Sequence, residues 1–452
     1  MPFQPIGQHH QAESGHASPR RGPGERQTLA FRFIHAADVH LDSPLRSLAL
    51  RDPDLAELIG NATRRAFVRI IDLCLDEQVD ALLLAGDLYD GDQTSMKTAR
   101  FLSEQIRRLH EAGIHVFVIR GNHDALSRIT KELTFPDSVK VFGGRAEAIV
   151  VDRSNGDFPV AIHGLSFAQP HAPESLIGKY KLPIEGAVNI GLLHTSLAGA
   201  PGHDLYAPCS LADLQATGFR YWALGHVHKR SVVEGKCAIV MPGMPQGRDI
   251  NEAGAKSVTL VTVADDRSIR IEERVTSIAQ FERVSIDATR IDDWRDLVGA
   301  LGRVIERARN GLASEHLVAR VHLTGTTPLA WRIRRDLDLL KTEVDDRASM
   351  IGACWVERLE VDCKAPGAAA ASRDHPITEL RRLIDEEVIR SDAYQAEAVD
   401  IAEELRTQLP QECRNLLGAD AAAFKAAVTE LVKEGVEDVL ARLHAGAEAR
   451  EP

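Results

Sequence analysis

The chain has 452 residues, 27% of them charged and 44% hydrophobic, with a formal charge of −12 at pH 7. That length allows a large core and more than one domain at ~150 residues per domain, and the balance of charged and apolar residues excludes wholesale disorder. The acidic total excludes a protein that coats nucleic acid with general positive charge, though not one that meets phosphate through local cations or metal ions.

Residues 1–28 are rich in Gln, His, Ser, Gly, Pro and Arg without an apolar period, the composition of a disordered leader. Its pair His9 and His10 has no framework to hold a metal. From Phe31 onward, short apolar runs alternate with helical stretches. Residues 31–36 read as a strand, 63–77 as a helix, 81–85 as a fully apolar strand, 98–112 as a helix and 114–119 as a strand, a β-α-β-α-β layout. Strands follow at 160–165, 188–193, 221–224 and 238–241, then a hairpin over 258–275 turning at Asp265-Asp266. Because the second half lacks a helix after every strand, residues 29–278 fit an α/β sandwich with mixed sheets better than a doubly wound sheet.

A second unit begins at 279, with strands at 281–286, 317–323 and 354–361 and helices at 291–308 and 330–344. The first of these helices is amphipathic, with Ile291, Trp294, Leu297, Leu301, Val304 and Ile305 on one face. Residues 279–363 thus form a small α/β module. Pro366, Gly367 and an alanine run mark 364–373 as a linker. Residues 374–452 are helical; in 421–443, Phe424, Val428, Leu431, Val432, Val436 and Leu440 form one stripe. The six cysteines are scattered without a C-x-x-C pair, as expected of reduced thiols in the cytoplasm. No apolar run approaches the ~20 residues needed to span a bilayer, and no secretory signal pattern opens the chain, so no membrane contact is expected.

Five blocks carry chemistry, each after an apolar strand, where open α/β sheets place their sites. In His35-Ala-Ala-Asp38-Val-His40, alternation along extended backbone would put Asp38 and His40 on one side, an oxygen and a nitrogen ligand facing one metal. In Gly86-Asp87-Leu-Tyr-Asp90, Asp87 is the candidate to bridge two cations. In Gly121-Asn122-His123-Asp124, Gly121 would let the backbone turn tightly, Asn122 offers a carbonyl oxygen and His123 stands beside the metals. His194 follows, then Gly225-His226-Val-His228, repeating the alternating geometry of the first block. Asp38, His40 and His228 would hold one ion, and Asn122, His194 and His226 the other, with Asp87 between them. Such a mixed oxygen and nitrogen set suits Mn²⁺, Fe or Zn²⁺. Two ions ~3.5–4 Å apart clamp a phosphate during in-line displacement, which makes phosphoester hydrolysis the reaction expected. A lone D-x-H or G-H-x-H arises by chance; five blocks in one order do not.

These blocks resemble the calcineurin-like metallophosphoesterases, whose motif order is D-x-H, G-D-x-x-D, G-N-H-D/E, H and G-H-x-H. HAADVHLDSPL, LLLAGDLYDGD, YAPCSLADLQATGFRYWALGHVHKR and MPGMPQGRDINEAGAK are similar to the SbcD and YhaO-like DNA repair exonucleases, the YhaO-like branch above all. The resemblance covers residues 31–275 closely and the remainder in architecture only. It implies a four-layer α-β-β-α sandwich and a metal-dependent DNA exonuclease or endonuclease, with Mn²⁺ favoured over Fe, Zn²⁺ or Mg²⁺. His123 would protonate the leaving oxygen or stabilise the transition state, as an imidazole of near-neutral pKa can. Related archaeal and eukaryotic nucleases carry a His at the position of Asp90, so Asp90 is read, with Asp124, as orienting ligands from behind. The module at 279–363 would be a capping domain beside the DNA, with Arg303, Arg307, Arg309, Arg332, Arg334 and Arg335 on or beside its helices. The C-terminal helices would dock an SMC-like coiled-coil ATPase or form a bundle of their own, and a homodimer stays open.

Lys229 and Arg230, directly after the last ligand, are candidates for contact with the DNA backbone, as are Arg248 and Asn251, which structural hydrogen bonds explain equally well. His163 reads as a satisfied core histidine. His203, Asp204 and Tyr206 line the groove or cap a loop. Two other functions compete with the nuclease: a phosphodiesterase or phosphatase for small nucleotides or phosphoproteins, and a catalytically silent scaffold, against which the intact ligands and His123 argue.

Overall fold

Two six-stranded sheets lie face to face in the computed structural model, which describes residues 30–43, 53–89, 95–124, 135–151, 158–167, 171–197, 206–365, 376–409, 414, 417–418 and 420–448. The leader with His9 and His10, together with Asp90, His203, Asp204, Cys413 and all but the first two residues of the linker, lies outside the described residues. The first sheet has the order β12 (Ile269–Val275), β11 (Ser257–Val263), β1 (Phe31–Ala36), β2 (Ala81–Ala85), β3 (His115–Ile119), β4 (Val139–Val141). β1 to β4 run parallel, and β11 joins antiparallel, pairing Phe31 with Val263. The second has the order β5 (Glu147–Val151), β6 (Val160–Gly164), β7 (Val188–His194), β8 (Tyr221–Gly225), β10 (Ala238–Met241), β9 (Ser231–Val233). Its four middle strands are parallel and its two edges antiparallel.

The layering follows from alternation. In β2, all five residues are buried: Ala81, Leu83 and Ala85 face the second sheet, while Leu82 and Leu84 face helices α1 (Pro53–Asp76) and α2 (Met96–Glu111). Phe67, Ile70 and Ile71 of α1 and Leu102 and Ile106 of α2 complete that outer layer. Between the sheets, Phe33, Leu83 and Phe117 meet Ile162, Ile190 and Tyr221. The fourth layer is thin. A short helix, α3 (Leu211–Ala216), closed by a reciprocal Ser210–Asp213 capping box, covers the second sheet together with Tyr180 and Phe219, packing on Trp222 of β8. The architecture is a four-layer α-β-β-α sandwich.

The expected elements shift in three places. α1 starts ten residues before the expected helix, because Leu55 and Ile59 are buried against the second unit rather than against their own sheet. The strands β4, β5 and β9 have three to five residues and lie partly exposed at sheet edges, too short and too mixed for a period to reveal them. The expected helix at 330–344 is two, α5 (Ala330–Arg335) and α6 (Leu337–Ile351), broken at Asp336, which leaves helical geometry at ψ 32.

The second unit is a parallel sheet in the order β13 (Ala279–Asp287), β14 (His316–Thr326), β15 (Cys354–Lys364). Val284, Ile286, Val321 and Leu323 on one face pack under α4 (Trp294–Asn310), α5 and α6. Residues of the opposite parity, Phe281 and Val318, pack on Leu55, Ile59 and Ile250 of the sandwich. The helices, and with them Arg303, Arg307, Arg332 and Arg334, therefore cover the face turned away from the sandwich, and Arg332 lies 4.6 Å over the Trp294 ring. Beyond this unit come α7 (Pro376–Leu383), α8 (Asp392–Gln408) and α9 (Ala421–Glu448). The stripe expected on α9 is split: Phe424, Val428 and Leu440 are buried, whereas Leu431 is exposed. No helix among the described residues is long and apolar enough to cross a membrane, and Cys74, Cys209, Cys237, Cys354 and Cys363 are buried and unbridged.

Candidate metal centre

The loops after β1, β2, β3, β7 and β8 leave the C-terminal ends of parallel strands and converge on one point. They are laced to one another: Asp38 N–H donates to the Gly86 carbonyl at 3.1 Å, His40 N–H to Asp87 at 3.1 Å, and Leu41 N–H to Leu88 at 3.0 Å. These bonds overturn the expectation of extended backbone. Asp38, His40, Asp87 and His226 have φ of 52°, 46°, 52° and 100°. Side chains meet because the chain curls, each amide turning toward the neighbouring loop. Left-handed backbone is uncommon for residues with a Cβ and concentrates at functional sites, where surrounding contacts hold it in place.

Two groups of ligand-type atoms result. Those of Asp38, His40 and His228 lie within 4.8 Å of one another, as do those of Asp87, His194 and His226. His40 Nε2 and His228 Nε2 face each other at 3.2 Å. His194 Nε2 lies 3.2 Å from Asp87 Oδ2 and 3.0 Å from Asn122 Oδ1. Both Asp38 oxygens accept from His226 N–H at 3.0 Å, and Asp87 Oδ1 accepts from His123 N–H at 3.0 Å.

The electrostatics call for a cation. His194 Nδ1 donates to the Ala85 carbonyl at 2.9 Å, so its Nε2 lone pair points at two oxygens, and three acceptors cannot share that space without positive charge among them. Burial opposes protonation of His194, but Asp87, through charge and hydrogen bond, overcomes it and raises the imidazole to about 9. Asp87, despite its burial, is held well below the usual carboxylate range by His194. Burial pushes Asp38 up. A divalent ion meets the demand that a proton otherwise fills, and the mixed oxygen and nitrogen donors fit a transition ion.

Three motif glycines are explained by space around His194. A Cβ on Gly86, where φ is +93°, would lie 2.4 Å from His194 Nδ1; on Gly225 it would lie 2.0 Å from the Ala85 carbonyl oxygen. Gly121 corrects its expected role, since its φ is not positive. It must lack a Cβ because that atom would sit 2.3 Å from Asp87 Oδ1 and 2.6 Å from His194 Nε2.

Around the ligand-type residues, Asp124 is buried and clasps two loops, accepting from Leu88 N–H at 3.0 Å and Gly121 N–H at 2.6 Å; burial, with the Asp87 charge, raises it to about 7. His123 is exposed, its ring centroid 5.1 Å from that of His40. Lys229 is exposed. Arg230 instead points inward to Thr259 at 2.6 Å and Glu273 at 3.7 Å. Arg248 is held by Glu252, and Asn251 accepts from Arg283 at 3.4 Å, so both make structural hydrogen bonds. Tyr206 is buried, stacked on His226 at 5.4 Å. His163 is buried with Nε2 2.8 Å from Asn189.

Two residues with no earlier sign of a role stand out. Glu252 accepts from His228 Nδ1 at 2.9 Å; burial favours its neutral form, but His228 and Arg248 outweigh that and hold it below the usual range. Only its closeness in sequence to Arg248 could have hinted at it. His35 is buried between the sheets, Nδ1 on the Tyr221 hydroxyl at 2.9 Å and Nε2 on the Leu224 carbonyl at 3.0 Å, and burial lowers it to about 3.

Comparison with known proteins agrees with this geometry. The family profile described as calcineurin-like phosphoesterase matches residues 31–230, and that described as metallophosphoesterase YhaO, middle domain, matches 281–364. The chain is 34% identical over 300 residues to the uncharacterized metallophosphoesterase YhaO of Bacillus subtilis (strain 168), covering 66% of this chain and 72% of that protein. It is 27% identical over 248 residues to the DNA double-strand break repair protein Mre11 of Sulfurisphaera tokodaii, covering 52% of this chain and 60% of that one. The Mre11 of Aeropyrum pernix is 25% identical over 298 residues, covering 61% and 68%. Fold, converging acceptors and relatives agree: the chain belongs to the calcineurin-like metallophosphoesterases and is a phosphoester hydrolase.

Proposed function

We propose that this hydrolase is a DNA repair nuclease that cuts phosphodiester bonds with two divalent ions, Mn²⁺ favoured. Asp38, His40 and His228 would hold one ion and Asn122, His194 and His226 the other, with Asp87 as the ligand common to both. The observation that carries the reading is the pair of adjacent donor groups, each mixing carboxylate and imidazole at the strand ends. Two such cations, when bound, would supply charge that makes water a nucleophile near neutral pH and offsets charge building on the phosphate. His123, exposed beside His40 with its amide on Asp87, donates a proton to the leaving oxygen. Asp124 holds the Asp87 and Asn122 loops in register.

DNA as substrate is supported by the relatives named for double-strand break repair and by the second unit, which packs on the sandwich through the turn that follows Arg248. Of Lys229, Arg230 and Arg248, Lys229 is the exposed one and the candidate for phosphate contact. The exposed apolar residues Ile401, Leu405, Leu431, Val439 and Leu443 suit docking of an SMC-like coiled-coil ATPase. Five buried, unbridged thiols accord with a cytoplasmic setting.

The test is a substrate panel with the full chain and Mn²⁺: linear single- and double-stranded DNA, hairpins, RNA, cyclic dinucleotides, p-nitrophenyl phosphate and a phosphopeptide. DNA should be cut fastest. Far faster turnover of a small ester or phosphopeptide assigns the other substrate class.

A further inference from the structure

We propose that Glu252 is a positioning residue, one that fixes the imidazole of His228 for metal coordination and ties that ligand to the seating of the second unit. The inference rests on the ligand assignment above and extends it to what stands behind one ligand. His228 turns Nε2 toward His40 and Nδ1 toward Glu252 Oε1, 2.9 Å away. A carboxylate accepting from Nδ1–H selects the tautomer that leaves the Nε2 lone pair for an ion, and it makes that lone pair more basic.

Glu252 cannot swing. Arg248 donates to it three times, from its backbone N–H at 2.8 Å, Nε at 3.3 Å and Nη2 at 2.8 Å. The Nη1 of Arg248 reaches Ser43 Oγ at 3.4 Å, three residues beyond His40, so one guanidinium links the loop of His40 to the carboxylate that holds His228. Arg248, Glu252 and His228 have side chains only 23%, 12% and 26% exposed, where a charge-assisted network is stronger than on an open surface.

The same stretch of chain is wedged against the second unit. Glu252 ends a single helical turn, Ile250–Glu252, that Asp249 caps by accepting from Asn251 N–H at 2.7 Å. Ile250 is 3% exposed and packs with Phe281 and Val318 of the parallel sheet. Gly254 N–H donates to the Phe281 carbonyl at 2.9 Å, and Arg283 donates to Asn251 at 3.4 Å. Just upstream, the Gln246 amide brackets the start of β13, accepting from Ile278 N–H at 2.7 Å and donating to the Ala279 carbonyl at 2.8 Å. A shift of the sheet against the sandwich therefore moves the turn, and the turn carries the carboxylate that orients His228. His194 is held differently, its Nδ1 resting on the backbone of β2.

Mn²⁺ binding to the full-length protein, followed by calorimetric titration, tests this. Wild type should take up two ions. Glu252→Ala should weaken one of them ~10–100-fold while leaving the other unchanged, and Glu252→Gln, which keeps an acceptor for Nδ1–H, should recover part of that loss. Ile250→Ala, which touches no ligand, should weaken the same ion by a smaller factor. Circular dichroism and melting without added metal show that each variant is folded. Unchanged affinity for both ions in Glu252→Gln and Ile250→Ala overturns the proposal even if Glu252→Ala fails to fold, as does an equal loss at both sites. Failure of wild type to bind two ions overturns the ligand assignment, and this proposal with it.

Discussion

The two donor groups differ in what holds their histidines. His194 is fully buried, and its Nδ1 is fixed by the Ala85 carbonyl, a backbone atom inside the first sheet. His228 is part-exposed, and its Nδ1 is fixed by a side chain on a one-turn helix that also touches the second unit. His194 is thus positioned by the sandwich core itself. His228 depends on a relay of side chains across a domain contact, where substitution or movement can tune it. The difference teaches that a centre with near-symmetric ligands need not respond symmetrically to its surroundings.

The largest effect should come from Asp87, the residue proposed to be shared by both ions. Asp87→Ala should lose both ions by metal analysis and reduce hydrolysis to background; retention of two ions would separate the groups in a way the shared carboxylate does not allow. His123→Ala should lower turnover ~10²–10⁴-fold with both ions retained, and a matching loss of metal would make His123 a ligand instead. Gly225→Ala should strike the His194 side selectively, because its Cβ would meet the very carbonyl that orients His194. Overpacking of this kind costs ~1–3 kcal/mol in stability, and the ion held by His194 should weaken while the one held by His228 persists. Glu252→Ala is its mirror image.

The smallest effect sharpens the contrast with a third buried histidine. His35 is as deeply buried as His194, but there burial, aided by the Arg230 charge, outweighs the hydrogen bond to the Leu224 carbonyl and keeps the ring neutral, its pKa lowered to about 3. The unfolded chain takes up a proton there near the ordinary value of 6.5 while the folded one does not. Stability contributed by His35 is therefore full above pH 6.5 and is lost as pH falls toward 3. Between pH 7.5 and 5, wild type should lose ~2 kcal/mol more than His35→Gln in urea unfolding. Equal losses would mean that His35 does not titrate differently in the two states.

How much was legible varies with the range of the interaction involved. The strands β1, β2, β3 and β10 were readable because continuous apolar runs mark buried parallel strands, and the helix and strand pattern after 279 because its apolar faces recur within one element. The early start of α1 was not, since Leu55 and Ile59 find their partners more than 200 residues away in β13 and β14. Arg230 and Arg248 looked like cations beside a site, and their carboxylate and hydroxyl partners became visible only once β11, β12 and the turn at 250–252 were in place.

The sequence by itself determined the residue types and order of the five blocks, their attachment to apolar strands and the family they mark, because ligand chemistry and local period are written in consecutive residues. Tertiary structure alone decided that Asp38, His40, Asp87 and His226 curl through left-handed backbone rather than lie extended, and that Gly121 serves by lacking a Cβ. It alone put Glu252 behind His228. The physical reason is common to all three. Each depends on the space and hydrogen-bonding groups offered by a loop from another strand, which no local spacing encodes.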